Sequence, residues 1–325
     1  MRSRYVQILR IAVQWGFLLY SLWLGTRLFL FVSAIRGGES PTVVRGSGVE
    51  GFLPILGLMG LRDWVESGRL NPVHPAATLI LLMAIAVSFL LRRSFCSWVC
   101  PVGTLSELLW KRGFSLFRRN FRLPPWGDYP LRVVKYLLLV FFVVSIFRMP
   151  SQALRRFLFS GYSAVADVRL LDFFLHLSAT AAIVIATLLF LSLLLRNPFC
   201  RYLCPYGALV GLLGWISPVA VTRYTTHCVT CGVCNQVCPS HLPIMQRERT
   251  RSPECIGCFR CVSNCRADGA IEMALPGGRP VVPGIVFALM ILAIFWGGSI
   301  FADTLGHWDT ILTPDDYRRL LSPRQ

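Results

Sequence analysis

The chain has 325 residues, of which 54% are hydrophobic and 15% are charged, and its mean hydropathy is +0.58. This composition is too apolar for an ordinary soluble domain, so it predicts an α-helical integral membrane protein. The net charge of +17 is typical either of nucleic-acid binding or of basic residues that flank membrane spans. We do not expect nucleic-acid binding, because the basic residues cluster at the ends of apolar stretches, as at Arg92, Arg93, Lys111, Arg112, Arg118, Arg119 and Arg122.

The first apolar region covers residues 11–35, contains Arg27 and follows a basic N-terminus. It predicts a retained membrane span, because it is longer than the ~7–15-residue apolar core of a signal peptide. A cleaved signal peptide ending at residues 32–34 is the alternative. In the polar loop that follows (36–73), residues 51–61 are too few to cross ~30 Å of hydrocarbon and are predicted to be interfacial or re-entrant.

Four more spans bring the predicted total to about five, and they cover residues 75–91, 131–147, 173–195 and 280–302. Only twelve uncharged residues separate Lys135 from Arg148, so Lys135 is expected to snorkel to the inner membrane interface. The connector at residues 104–125 is predicted to be amphipathic, with three aromatic residues available for the membrane surface. These are Trp110, Phe114 and Phe117.

The second and fourth spans each lead into a C-x3-C-P motif, and the two copies lie 104 residues apart within a longer internal repeat. Residues four apart on a helix are neighbours, so each motif would present two sulfurs on one side, with Pro101 or Pro205 stopping or kinking the helix afterwards. We predict that the four cysteines form a separate metal or redox site: an iron–sulfur cluster, another metal, or two dithiol pairs. The alternative is simple packing of small buried residues. The four repeat-motif cysteines are Cys96, Cys100, Cys200 and Cys204.

The other eight cysteines form two C-x2-C-x2-C-x3-C runs that start 27 residues apart. This is the spacing of a bacterial-type ferredoxin with two [4Fe-4S] clusters, in which the fourth cysteine of each run ligates the other cluster. A zinc site needs one set of four ligands, and a disulfide framework belongs to small secreted domains. Arg266 stands where the first run has a proline after its last cysteine. One predicted cluster takes Cys228, Cys231, Cys234 and Cys265, and the other takes Cys255, Cys258, Cys261 and Cys238.

The predicted organisation is a membrane domain with four spans (1–221), an inserted α+β ferredoxin domain (222–275, the insert), and a fifth span with an outer tail (276–325). Basic residues at 92–135, against mixed charge at 36–73 and 148–172, place the N-terminus, both C-x3-C-P motifs and the insert in the cytoplasm. The sequence contains no nucleotide-binding motif and no hydrolytic constellation. It therefore predicts an electron-transfer component rather than a stand-alone enzyme.

With these motifs, residues 75–270 resemble the NapH/MauN/NosR group of membrane-bound polyferredoxins. The resemblance implies an inner-membrane protein that takes electrons from quinol or a cytoplasmic donor and feeds a periplasmic redox system. The fifth span and the tail are closer to the nitrous-oxide accessory group, but its flavin-bearing domain is missing, so no flavin is expected. A sister group that reduces copper shares the motifs, which leaves a metal reductase or a maturation factor for a metalloenzyme as the alternative function.

The histidines are weaker candidates. His74 and His176 lie at the outer ends of two spans, where they could ligate haem or contact a quinone, but a capping or hydrogen-bonding role is more common there. Haem is not expected. His227 beside Cys228 is predicted to tune a cluster by hydrogen bonding. A redox-sensing regulator is a third function class, for which the sequence contains no sensor module.

Overall fold

The computed structural model describes residues 2–118, 120–277 and 280–322, and the side chains from residue 5 onward. Arg119 and the terminal Gln325 lie outside the described residues. The helices in chain order are α1 (Arg2–Arg36), α2 (Pro54–Ser67), α3 (Pro75–Leu91), α4 (Phe95–Trp98), α5 (Pro101–Phe117), α6 (Pro125–Arg148), α7 (Ser151–Leu158), α8 (Gly161–Ala164), α9 (Ala166–Leu175), α10 (Ala179–Leu194), α11 (Pro205–Trp215), α12 (Val233–Val237), α13 (Arg260–Ser263), α14 (Gly284–Leu292), α15 (Gly298–Thr304) and α16 (Pro314–Leu321). A 3-10 turn covers Ser47–Phe52, and π-helical turns cover Phe199–Leu203 and Ala293–Gly297.

Three helical segments of the described chain are long and apolar enough to cross a membrane: Tyr5–Arg36, Pro125–Arg148 and Gly284–Thr304. The pair α9 and α10 qualifies as a fourth span only if its bend of 82° is counted as one broken span. Helix α3 is apolar, but it has only 17 residues. The protein is therefore transmembrane and mostly helical, with three or four clear spans, and the predicted total of five stays a prediction.

The chain forms two compact units, and the boundary cuts through its long helices. The first unit contains residues up to Leu18, Ala84–Leu139 and Ile183–Ile294, and it includes the insert. Its antiparallel sheet has the strand order β2-β1-β3, with Val221 paired to Thr250 on one side and to Met273 on the other. The strands are β1 (Ala220–Arg223), β2 (Arg249–Thr250) and β3 (Ile271–Ala274).

Within the first unit, the second cysteine run packs against the ends of three helices. The side chains of Gln7, Ser97 and Trp98 donate hydrogen bonds to three successive backbone carbonyls, those of residues 258, 256 and 257. Phe259 packs edge-on against Phe287 of α14, with ring centroids 4.9 Å apart. Because the carbonyls of a ligand loop cannot pair with one another, these donors fix the loop against α1 and α4, and the packing of Phe259 holds it against α14.

The second unit contains Leu19–Met83, Val140–Ala182 and the residues from Phe295 on. Most of segment 51–61 forms the start of α2, whose Leu56 and Met59 pack against Leu154 and Leu158 of α7, and its interfacial or re-entrant placement stays a prediction. A buried polar network lies in the same unit. In it, Arg45 pairs with Glu50 at 2.8 Å and with Asp167 at 2.5 Å.

Two expectations for the connector and the third span are wrong. Lys135 does not snorkel, because its side chain is fully buried and its Nζ lies 2.5 Å from Glu254 Oε1 of the insert. Trp110 does not face the membrane surface, because it is buried and its ring is covered by the guanidinium groups of Arg260 and Arg196 at 4.6 and 5.3 Å. In both cases the insert supplies a charged partner, which a single-helix argument does not include.

Candidate iron–sulfur sites

Each cysteine run of the insert is turned by two residues in the left-handed backbone conformation. These are Thr230 and Gly232 in the first run (φ 48° and 71°), and Gly257 and Phe259 in the second (φ 59° and 57°). Gly232 and Phe259 are also the N-cap residues of the short helices α12 and α13. The two runs therefore share one backbone path, which curls the chain so that the three closely spaced thiols of each run converge.

The eight cysteines of the insert line two separate cavities of the first unit. Each cavity combines three cysteines of one run with the last cysteine of the other, which is the grouping that the crossed-ligand rule predicts. We call the first set the buried quartet and the second the exposed quartet. The buried quartet is Cys238, Cys255, Cys258 and Cys261, and the exposed quartet is Cys228, Cys231, Cys234 and Cys265.

The buried quartet is enclosed, with each cysteine between 7% and 9% exposed. Burial, followed by the nearby Cys258 and Cys255, raises the pKa of Cys238 to about 12. Burial and the other three sulfurs raise the pKa of Cys261 well above its ordinary value. An apolar cavity disfavours thiolates that no positive charge compensates, and thiolates are the ligands that iron–sulfur clusters require. The donor set therefore fits a [4Fe-4S] cluster.

The exposed quartet has the same four-thiol donor set, but its cysteines are more accessible to solvent. Cys231 is exposed and Cys228 is partly exposed, whereas Cys234 is buried. The backbone N–H of Thr230 and then the side chain of Arg223 lower the pKa of Cys228 by hydrogen bonding to its sulfur. Such N–H···S bonds stabilise thiolate ligands and raise the reduction potential of a cluster. His227 is exposed beside Cys228, and its tuning role stays a prediction.

The C-x3-C-P motifs are not continuous helices as the i, i+4 argument assumed. Cys96 belongs to the short helix α4 and Cys200 to the π-helical turn, whereas Cys100 and Cys204 are the extended N-cap residues of α5 and α11. The reason is the following proline, which favours the first helical position and forces the residue before it out of the helix. The sulfur of Cys204 accepts the N–H of Gly207 at 3.2 Å.

The structure nevertheless brings the four repeat-motif cysteines together. Burial, followed by the other three sulfurs, raises the pKa of Cys200 well above its ordinary value, and burial with Cys96 and Cys204 raises the pKa of Cys100 to about 12. Across the part of the chain that the structure describes, no group of three or more His, Cys, Asp and Glu side chains is spaced to hold a single metal ion. Four thiols are a donor set for an iron–sulfur cluster, another metal or two dithiol pairs, so the identity of this centre stays a prediction.

Sequence reasoning missed Arg93 and Glu254, which connect the repeat-motif cysteines to the buried quartet. Arg93 is buried, and it donates to Cys96 Sγ at 3.4 Å, to the Cys200 carbonyl at 2.7 Å and to Glu254 at 3.3 Å. Burial opposes the charged form of Glu254, but the charges of Arg93 and Lys135 and the hydrogen bond from Lys135 act against it, and the pKa of Glu254 is lowered. The sequence predicts Arg93 as a charge that flanks an apolar stretch, and the signal that could identify its partner is an acidic residue directly before Cys255 in a basic protein.

The histidine candidates do not join these sites. His74 is buried in the second unit, with Nδ1 3.2 Å from Glu50 Oε1 and Nε2 2.8 Å from the Ser163 carbonyl. Both ring nitrogens are therefore engaged by protein atoms, which favours the hydrogen-bonding role over a haem or quinone contact. His176 is exposed at the C-terminal cap of α9.

Comparison with known proteins agrees with this geometry. The family model of a 4Fe-4S binding domain matches residues 73–124 and 177–222, and the model of a 4Fe-4S dicluster domain matches residues 220–266. The chain is 40% identical over 318 residues to the putative electron transport protein YccM of Escherichia coli K12, covering 96% of this chain and 89% of the relative. It is 28% identical to the ferredoxin-type protein NapH of the same organism (65% and 71% covered), and 29% identical to the methylamine utilization ferredoxin-type protein MauN of Methylorubrum extorquens (57% and 62% covered). No solved structure matches the chain.

Apolar helices, ferredoxin-type cysteine cavities and these matches define a transmembrane iron–sulfur protein of electron transport. Within that class, the chain belongs to the NapH/MauN-type polyferredoxin family.

Proposed function

We propose that the chain is a multi-pass protein of the bacterial inner membrane that passes electrons along three centres in a line. The exposed quartet holds the first [4Fe-4S] cluster and the buried quartet holds the second. The four repeat-motif cysteines hold the third centre, for which we favour another iron–sulfur cluster. The insert (222–275) supplies the first two centres, and the membrane domain (1–221) supplies the third.

The observation that carries this order is one shared cavity in the first unit. Cys96 and Cys200 line it on one side. The residues next to the buried quartet in the chain line it on the other, namely Pro239, Ser240, Glu254 and Ile256. The third centre therefore adjoins the buried quartet, whereas the exposed quartet has its own cavity near the surface. That the 4Fe-4S binding domain model covers both C-x3-C-P motifs supports iron and sulfur at the third centre.

The proposed electron donor and acceptor are inferred from the exposure and the position of the centres. A soluble cytoplasmic donor would meet the exposed quartet, and quinone or quinol in the membrane would meet the third centre at the cytoplasmic ends of the membrane helices and connect it to a periplasmic redox system. The proposed topology has five spans, with the insert inside and the segment 276–325 ending outside. Reporter fusions after Arg122 and after Gln325 are expected to report opposite sides of the membrane, and the same side for both would contradict this topology.

The experiment that tests the relay replaces all four repeat-motif cysteines with serine in the full-length protein. We expect the EPR signals of the insert's two clusters to remain after chemical reduction, while their reduction by quinol, or electron delivery to a membrane acceptor, is lost. Cupric ion as an alternative acceptor tests the metal-reductase alternative in the same preparation. Unchanged electron transfer to every acceptor in the serine variant would exclude the third centre as part of the relay.

A further inference from the structure

A strongly basic pocket lies in the first unit, between the start of α6, the end of α10 and the insert. Four arginines and one histidine line it, against a single carboxylate, that of Asp128. The polar and charged residues of the wall are Arg122, Asp128, Tyr129, Arg132, Arg196, Arg201, Tyr202 and His241. None of them is a cysteine, but Arg196 and Arg201 also line the cavity of Cys96 and Cys200, so this pocket adjoins the third centre.

The carboxylate of Asp128 is already fully used by its neighbours. Arg201 donates to both of its oxygens, at 3.0 and 2.9 Å, Arg132 donates to one of them, and the hydroxyl of Tyr202 donates to the other at 2.7 Å. Arg196 instead donates to the backbone carbonyls of residues 236 and 238, at 2.9 and 3.2 Å. Among the described residues, neither Arg196 nor Arg122 has a carboxylate partner, so the pocket carries uncompensated positive charge.

Two buried nitrogen atoms of the pocket residues are also without a hydrogen-bond partner among the described residues. They are Nε of Arg132 and Nδ1 of His241. Buried polar groups are normally paired, so the unpaired Nε–H donor of Arg132, beside arginines that have no carboxylate partner, indicates a missing anionic ligand.

The remaining wall is apolar and consists of Phe121, Leu123, Pro125 and Leu195. Phe121 is 45% exposed and Leu123 is 36% exposed, and both lie in the linker that precedes the membrane-crossing helix α6. A small inorganic anion would leave this surface wet, whereas an amphiphile would cover it. We propose that the pocket binds the phosphate group of an anionic phospholipid, with Arg122 and Arg196 on the phosphate and Leu123 and Leu195 along the first carbons of the lipid.

The test uses the full-length protein, purified in detergent with its clusters and stripped of lipid, and native mass spectrometry to count bound lipids. The probes are phosphatidylglycerol, phosphatidylcholine and inorganic phosphate. We expect one retained phosphatidylglycerol, and binding about tenfold weaker in Arg122→Gln, because one charge-assisted contact is lost. Arg112→Gln is the matched control, since it removes the same charge from an exposed position of the same connector outside the pocket.

A second variant, Leu123→Glu, places a carboxylate in the pocket and is expected to abolish lipid retention while visible absorbance shows that the clusters are intact. Equal retention of phosphatidylcholine and phosphatidylglycerol by the unmodified protein would overturn the proposal. So would equal binding by Arg122→Gln and Arg112→Gln. Displacement of the lipid by millimolar inorganic phosphate would identify free phosphate, rather than a lipid, as the occupant. None of these outcomes depends on electron transfer, so the proposal stands or falls separately from the proposed relay.

Discussion

The two cysteine quartets of the insert have the same spacing and nearly the same backbone path, but different surroundings. In the exposed quartet, Cys231 is exposed and the neighbouring Val229 is 61% exposed. In the buried quartet every cysteine is buried, and the intervening carbonyls accept hydrogen bonds from Gln7, Ser97 and Trp98. A repeated motif has therefore been adapted to two tasks, one facing solvent and the other facing the membrane helices.

The residues between the cysteines account for the difference. The first run has a glycine directly after its second cysteine, and a Cβ on Gly232 would meet open space. The second run has Phe259 in that position, in a left-handed conformation that costs a non-glycine residue roughly 1–2 kcal/mol. Packing of Phe259 against Trp98 and Phe287 offsets this strain. The buried site thus depends on contacts with the membrane helices, and the exposed site does not.

The largest expected effect is the selective loss of one cluster when the ligand that comes from the other cysteine run is replaced. Cys238→Ala is expected to remove the cluster of the second run, and Cys265→Ala that of the first, each with a loss of about four irons per chain. Iron analysis and EPR of the reduced proteins measure both losses. If each substitution removed the cluster of its own run, the crossed assignment would be wrong.

The next effect tests whether the buried quartet needs the membrane helices. Trp98 is fully buried and donates to the Gly257 carbonyl at 3.0 Å. Trp98→Ala is expected to lower the free energy of unfolding by about 3–5 kcal/mol. On heating, the second-run cluster should be lost first, and its visible absorbance measures this loss. Trp126→Ala is the control, because that side chain is 83% exposed and its loss should change stability by less than about 0.5 kcal/mol. Simultaneous loss of both clusters in Trp98→Ala would show that they do not differ in this dependence.

The sequence alone predicts two features of this architecture, the grouping of the insert's cysteines and the three clear membrane spans. The two runs specify which cysteines share a cavity, because the crossed pairing follows from the repeat itself. The apolar regions at 11–35, 131–147 and 280–302 correspond to the three clear spans. Both inferences rely on local pattern, which a single sequence contains in full.

What the sequence could not predict depends on partners that are distant along the chain. Lys135 and Glu254 are 119 residues apart, and Arg93 and Glu254 are 161 apart, so no helix periodicity connects them. The sequence therefore predicts Arg93 as a charge flanking an apolar stretch and Lys135 as a residue at the membrane interface, and it gives no role to Glu254. The i, i+4 rule does not predict Cys100 as a helix N-cap for a different reason, because Pro101 at the first position of α5 forces the residue before it out of the helical conformation.

A smaller effect on stability is expected from substituting two glycines, Gly232 and Gly257, that both adopt the left-handed conformation. A Cβ on Gly257 would lie 3.2 Å from the Phe287 ring and 3.3 Å from the Leu91 carbonyl, whereas Gly232 has nothing within 4 Å. Gly232→Ala should lower the free energy of unfolding by about 1 kcal/mol, because of backbone strain alone. Gly257→Ala should cost roughly 1 kcal/mol more, because it also overpacks the contact. Thermal loss of cluster absorbance checks this order, and equal stabilities would show that the close approach has no energetic consequence.

The smallest effect concerns the potential of the exposed cluster. Arg223 hydrogen-bonds the sulfur of Cys228 and favours its thiolate form. Reduction adds negative charge to a cluster, so removing a nearby cation makes reduction less favourable. Arg223→Gln should lower the midpoint potential of this cluster by about 20–40 mV, less than the 59 mV of a tenfold change because the site is screened by water. Arg251→Gln, an exposed arginine of the same insert, should leave it unchanged. An EPR redox titration resolves both clusters in one sample, and the second-run cluster serves as an internal reference. A shift of both signals together would mean that Arg223 acts through the general charge of the insert and not through its bond to Cys228.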